Sequence, residues 1–269
     1  MKKLSKIIGI AFVAAFAALC LTACGGGSGS AASSGSSAAA HEPIYVIKHV
    51  TMYSYMMDEN GTVTETWEAG SWDYEYDDHG NKTQWTATNI NPNTKESQTN
   101  TYVYSDYDEN GYAGATVQPD GTSSTTEWTV EDGHAVKNAS STGSTAEFTY
   151  YADGKLKSQH IVYNDGRDVI VEYDENGRPS HQVIEGGQYP QTIDYAWTLD
   201  DQGRAVSSKR TTTMTNTGEV HENEMTYEYD ENGNISTVYT NGAMSQELEY
   251  QKIDNPSTQA WISSWIPQF

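Results

Sequence analysis

Tyr227-Glu-Tyr-Asp-Glu-Asn-Gly233, followed by Asn234 and Ile235, carries the grammar of the whole chain. Two aromatic rings at i and i+2 lie on one face of an extended strand, with acidic residues on the other. Asp and Asn-Gly then supply the turn, because these residues tolerate the positive φ that a tight reversal needs. A second β-branched stretch follows, so the unit reads as a β-hairpin.

Clear copies are Tyr74-Glu-Tyr-Asp-Asp-His-Gly80, Tyr107-Asp-Glu-Asn-Gly111 and Tyr173-Asp-Glu-Asn-Gly177. Weaker ones are Met57-Asp-Glu-Asn-Gly61, Val130-Glu-Asp-Gly133, Tyr151-Ala-Asp-Gly154 and Leu199-Asp-Asp-Gln-Gly203. A second set of turn residues interleaves with these: Gly70, Pro92, Gly121, Gly143, Gly166, Gly187, Gly218 and Gly242. The chain therefore reverses at one end of a sheet and then the other, roughly every ten residues. An all-β fold is expected: a long antiparallel meander of hairpin repeats with about 14–17 short strands, twisted, solenoid-like or closed partly into a barrel. Helical periodicity is absent over the same region, and only Leu156, Leu199 and Leu248 represent leucine after the first 23 residues.

From Cys24 onward Leu, Ile, Val and Phe make up just 30 of 246 residues, a level at which acidic chains often stay unfolded. The aromatic residues reverse that expectation. All 19 Tyr and 7 Trp lie in this part, and large rings carry much buried area each. Tyr74 and Tyr76, Tyr102 and Tyr104, Phe148 and Tyr150, Tyr195 and Trp197, and Tyr227 and Tyr229 form i, i+2 pairs, so a thin aromatic core is expected on one sheet face. Exposed instead, such rows would suit stacking on sugar rings.

The N-terminus has a different character. Lys2, Lys3 and Lys6 precede an apolar run from Ile7 to Leu21, too short for a comfortable membrane span and built like an export signal. It ends in Leu21-Thr22-Ala23-Cys24, which resembles the lipobox of bacterial lipoproteins. That resemblance implies cleavage after residue 23 and lipid on the Cys24 thiol, anchoring the protein on the extracytoplasmic side of a membrane. Residues 24–40 are the lipidated cysteine and a Gly/Ser/Ala run that reads as a flexible tether. Residues 41–255 then hold the hairpin repeats, and 256–269 a C-terminal cap in which Trp261, Ile262, Trp265 and Ile266 recur at i, i+4 spacing. Cys20 falls within the signal, so the remaining chain has one thiol and no internal disulfide.

Tyr173-Asp-Glu-Asn-Gly-Arg and Tyr229-Asp-Glu-Asn-Gly-Asn-Ile are similar to the YD repeats of Rhs-type bacterial surface proteins. Tyr150-Tyr-Ala-Asp-Gly-Lys-Leu-Lys-Ser158 resembles the MORN-variant repeat. Both resemblances imply consecutive β-hairpins and a surface location. Toxicity and encapsulation are not expected to carry over, since the unit spacing here varies from 19 to 31 residues and the repeats are far fewer than in an Rhs shell.

Charge and motifs exclude more than they assign. The formal charge of −22 becomes −25 without the signal lysines, which opposes binding to nucleic acid. Asp106-Tyr-Asp108-Glu-Asn110-Gly111 fits the first half of a calcium loop, but Val117 stands where a bidentate Glu belongs, and a tight turn explains the residues. The histidines (His41, His49, His79, His134, His160, His181, His221) show no metal-ligand spacing, and no nucleophile elbow or dinucleotide fingerprint occurs. The expectation is a non-catalytic binding or display module without a cofactor, its partners being the membrane through Cys24 and an envelope glycan or protein. An extracytoplasmic glycan hydrolase and a carrier barrel for an apolar ligand are the alternatives. Replacing Cys24 with Ser should release the protein into the medium or leave it unprocessed; detergent-dependent membrane association unchanged by Cys24→Ser would contradict the anchor.

Overall fold

The computed structural model describes residues 41–58 and 61–266; the signal, Cys24 and the tether lie outside them. Sixteen strands run in chain order: β1 (Ile44–Met57), β2 (Val63–Tyr76), β3 (Lys82–Ile90), β4 (Ser97–Tyr107), β5 (Ala113–Val117), β6 (Ser123–Glu131), β7 (His134–Ser140) and β8 (Thr145–Tyr150). They continue with β9 (Leu156–Val162), β10 (Asp168–Tyr173), β11 (Pro179–Glu185), β12 (Gln191–Leu199), β13 (Ala205–Met214), β14 (Val220–Tyr229), β15 (Ile235–Thr240) and β16 (Ala243–Ile253). A short helix, α1 (Thr258–Ser264), follows.

Every strand pairs antiparallel with its sequence neighbours, and β1 pairs with β16, placing Val50 opposite Leu248. The meander is thus a closed barrel without a free edge, which removes the exposed N–H and C=O groups that an open sheet presents. Buried and exposed residues alternate along the strands. Apart from the strands, only α1 could cover a face among the described residues, so the buried face is the lumen.

Sixteen strands enclose enough space for a water-filled channel in membrane barrels. Here packed clusters occupy much of the lumen instead, two of them large. One gathers Tyr112, Phe148, Leu156, Val169, Val171 and Ile262, the other Val50, Met52, Trp72, Tyr74, Tyr227 and Leu248. The aromatic pairs anticipated from the sequence all face inward, with Tyr74, Tyr104, Phe148 and Tyr227 buried. Outside, charged cross-strand pairs such as Lys137–Glu147, Lys209–Glu222 and His181–Asp194 face water. That polarity is the reverse of a membrane barrel, which shows lipid an apolar band. No helix among the described residues is long and apolar enough to cross a membrane.

Turns and strands differ from the sequence expectation at one point. Gly70 does not reverse the chain but sits inside β2 at a register shift, where a Cβ would come within 2.1 Å of the Thr88 carbonyl oxygen. With Gly70 spent on a bulge, the Gly61 turn moves to the opposite end of the barrel from the Gly80 turn. Seven turns, at Gly80, Gly111, Gly133, Gly154, Gly177, Gly203 and Gly233, consequently share one end with α1.

Most of those turns have one design. In the Asp230 turn, Gly233 N–H donates to the Asp230 carbonyl at 3.1 Å and Asp230 N–H to the Asn234 carbonyl at 2.8 Å, with Gly233 at φ 84°. This is a type I turn closed by a left-handed glycine, and a bulge just beyond it takes the next residues off the regular ladder. Aromatic side chains from the following returning strand fill that gap. Trp128 Nε1 donates to the Ala113 carbonyl at 2.8 Å, Tyr150 to Ala135 at 2.7 Å, and Trp197 Nε1 to Pro179 at 2.8 Å. Likewise Tyr229 donates to Ala205 at 2.6 Å, Tyr250 to Ile235 at 2.9 Å, Tyr76 to Ile47 at 2.7 Å, and Tyr107 to Lys82. Six of these acceptors lie two residues past a turn glycine and the seventh, Ile47, lies in β1; with a ring on every strand running to this end except β10, they form a girdle that ties neighbouring hairpins together. Tyr229→Phe or Tyr250→Phe leaves a carbonyl without its donor and should cost about 1–2 kcal/mol in urea unfolding. Tyr189→Phe, on a ring 62% exposed, serves as a neutral control, and equal effects of all three would contradict the girdle.

Candidate ligand cavity

Five of the seven girdle rings line a cavity of about 520 Å³ at the turn end of the lumen. Tyr76, Tyr107, Tyr173, Trp197, Tyr229 and Tyr250 form its wall, and Gln259, Ala260, Ser263 and Trp265 close it from the helix side. Its size is that of a small-molecule site, within the usual range of roughly 300–1,000 Å³.

The helix is seated by hydrogen bonds to two turns. Ser257 N–H donates to the His79 carbonyl at 2.9 Å, Gln259 N–H to the Asn110 carbonyl at 3.0 Å, and the Ser257 hydroxyl both caps Ala260 N–H and bonds Asn81 Oδ1 at 2.7 Å. Close approach depends on glycine: a Cβ at Gly111 would lie 2.3 Å from Ser257 Oγ, and one at Gly177 2.4 Å from the Trp265 carbonyl oxygen. Gly203 and Gly233, in contrast, have nothing within 4 Å. The roof therefore covers the turns from Gly80 to Gly177 and leaves the cavity's mouth beside the other two.

Polar groups at the wall are arranged by the turns. Asp174 Oδ1 accepts Asn176 and Arg178 N–H while Oδ2 takes Arg178 Nε at 2.8 Å; Asp200 holds Arg204 in the same way. Asn81 and Asn234 occupy the equivalent position after Gly80 and Gly233, each bonding its turn Asp with an amide. The Arg178 guanidinium lies 6.0 Å from the Trp197 ring and that of Arg204 4.8 Å from Tyr229. Backbone N–H donation from Arg204 holds the Asp200 carboxyl below its usual range. Deeper in the barrel the face is partly polar: Gln159 donates to the Tyr173 hydroxyl at 2.8 Å, and Ser208 and Tyr227 hydroxyls meet at 2.6 Å.

The other candidates from the sequence lie elsewhere. Asp108 Oδ1 accepts Asn110 and Tyr112 N–H, both at 2.9 Å, so the supposed calcium loop uses its carboxylate to hold its own turn. Val117 stands on the outer face of β5. His49, His160 and His181 each pair with an aspartate on the neighbouring strand, and no group of three His, Cys, Asp or Glu able to hold a metal occurs among the described residues. Cys24 lies outside the described residues. Sequence reasoning missed Arg178 and Arg204, although their position directly after a turn glycine was a usable signal once the turn end became the cavity end.

No family model matches the chain, and no curated protein does. Among solved structures it is similar to a porin-like protein from Bacteroides uniformis ATCC 8492, with 13% identity, a TM-score of 0.38, and 76% of this chain and 98% of that one covered. A chain of the TcdB2-TccC3-Cdc42 complex shows 12% identity and a TM-score of 0.28 over 75% of this chain and 13% of that one. The barrel rests on its own ladder rather than on these likenesses.

Burial pushes the Tyr112 and Tyr195 hydroxyls up to about 12, and raises those of Tyr107, Tyr150, Tyr227 and Tyr250 as well. The folded barrel keeps protons that the unfolded chain loses near pH 10, so stability is complete below that pH and falls as pH rises above it. Each buried tyrosine should contribute up to ~1.4 kcal/mol per pH unit to that fall. Absorbance titration should show a tyrosinate fraction near pH 10 and a delayed one above about pH 11 that coincides with unfolding. A single transition near 10 for every tyrosine would contradict the buried girdle.

Proposed function

We propose that this protein is a lipid-anchored, non-catalytic carrier barrel that holds a small, largely apolar ligand on the extracytoplasmic side of a membrane. The observation that supports it best is the cavity itself: a closed barrel whose aromatic girdle leaves a roofed space of about 520 Å³ with one uncovered side. A barrel of this length packed only for stability would have no need of an unfilled lumen end, since unfilled apolar volume costs stability. The charged outer face suits a module standing in water, and the Cys24 lipid with its tether would hold it near its source of ligand. A display surface for glycans is less well supported, because the i, i+2 rings that would have formed its stacking row point inward.

An uncharged fluorescent naphthylamine tests the carrier reading. Phenylnaphthylamine should bind at one saturable site with a Kd at or below about 10 µM, a value within reach of a ligand of its size. Ser263→Trp, which projects an indole from α1 into the cavity, should abolish that binding while leaving the melting temperature within a few degrees. Absence of saturable binding by the wild-type barrel, or binding untouched by Ser263→Trp, would remove the carrier reading.

A further inference from the structure

The charges at the cavity wall are the opposite of those in the chain. Asp and Glu outnumber Lys and Arg 37 to 15 in the sequence. Yet among the described residues no acidic side chain lines the cavity, while Lys82, Arg178 and Arg204 do. We infer that the ligand is an amphipathic anion, its apolar body within the girdle and its carboxylate or phosphate head held by Arg178 and Arg204. This inference rests on the carrier reading and specifies its ligand.

The two arginines are built for the task. Each is fixed from behind by its turn aspartate, which spends Oδ1 on backbone N–H groups and Oδ2 on the guanidinium Nε. Each is also laid over a girdle ring, Trp197 or Tyr229. A guanidinium has five N–H donors in a planar fork that matches carboxylate and phosphate. Arg178 uses Nε, and Arg204 uses Nε and Nη2, both on one aspartate oxygen; the remaining donors have no protein partner among the described residues. Arg178 is the more telling of the two, because its side chain is only 12% exposed and still keeps donors unused. Arg204, 43% exposed, stands beside the uncovered Gly203 turn, at the mouth where a headgroup would arrive.

The turns themselves need no arginine here. Asn81 and Asn234 fill the same position at two other turns and bond the aspartate through an amide. Nor does ring packing require a cation, since the Tyr250 and Tyr107 rings are held by carbonyls alone. Positive charge and spare donors distinguish Arg178 and Arg204 from the two asparagines, and their place on the cavity wall distinguishes them from Arg167, which is held by Asp165 over the Tyr163 ring at the opposite end.

Anilinonaphthalene sulfonate and its uncharged parent phenylnaphthylamine share one apolar skeleton and differ in the anionic group, so the pair isolates the charge. The barrel should bind the sulfonate at least about tenfold more tightly, in line with hydrogen bonds to a charged group. Arg178→Asn with Arg204→Asn places in these turns the residue that two other turns already carry; it should bring the ratio of the two affinities to about one. Equal wild-type affinities for the two probes, or a preference that survives the double substitution, would overturn the inference and leave the carrier reading standing. Failure of both probes to bind would instead strike the carrier reading. Displacement of the sulfonate by a medium-chain fatty acid or by an alkyl phosphate distinguishes the two head groups, the tighter competitor naming the class. Displacement by the matching fatty alcohol as strongly as by either would again overturn it.

Discussion

The hydrogen bond from an inward-facing tyrosine or tryptophan to a carbonyl just beyond a turn glycine is the interaction on which this barrel depends. A left-handed glycine closes each hairpin cheaply but throws the next residues off the ladder, leaving a carbonyl that must be satisfied inside the protein. A ring reaching back from the following strand satisfies it and fills the lumen at the same time. Since donor and acceptor belong to different hairpins, each such bond also fixes one hairpin against the next. Six of them around one end, with the Tyr76 bond to Ile47 of β1 beside them, give a chain poor in Leu, Ile, Val and Phe the order that an aliphatic core gives other proteins.

The same device accounts for the cavity. Rings tethered by their polar tips cannot collapse freely toward the barrel axis, so the girdle keeps an open space at the turn end while its rings pack against the buried clusters. Helix α1 covers part of that end because Gly111 and Gly177 let its backbone approach, and it stops short of the Gly203 and Gly233 turns. Stability and a ligand-sized space are two results of one arrangement.

Much of this was legible locally. Alternation and Asx-Gly turns gave the antiparallel meander and a strand number within the expected span, since both signals act over a few residues. Gly70 misled because a glycine inside a bulged strand reads like a turn glycine; only the register of β2 against β1 and β3 separates them. Closure was beyond local reasoning, because the β1–β16 seam joins residues nearly 200 positions apart, such as Val50 and Leu248. The rings were read correctly as core, but their hydrogen bonds were hidden, for Tyr229 and Ala205 look unrelated in sequence. Arg178 and Arg204 looked like ordinary turn residues until the turn end proved to hold the cavity.

Closure decides whether there is a lumen at all, and amide hydrogen exchange along the seam measures it most directly. In a closed barrel the N–H groups of β1 and β16, including Val50 and Leu248, exchange as slowly as those of Val169 and Val171 in β10. Fast exchange confined to β1 and β16, as expected for the two edges of an open sheet, would contradict the barrel and with it the cavity.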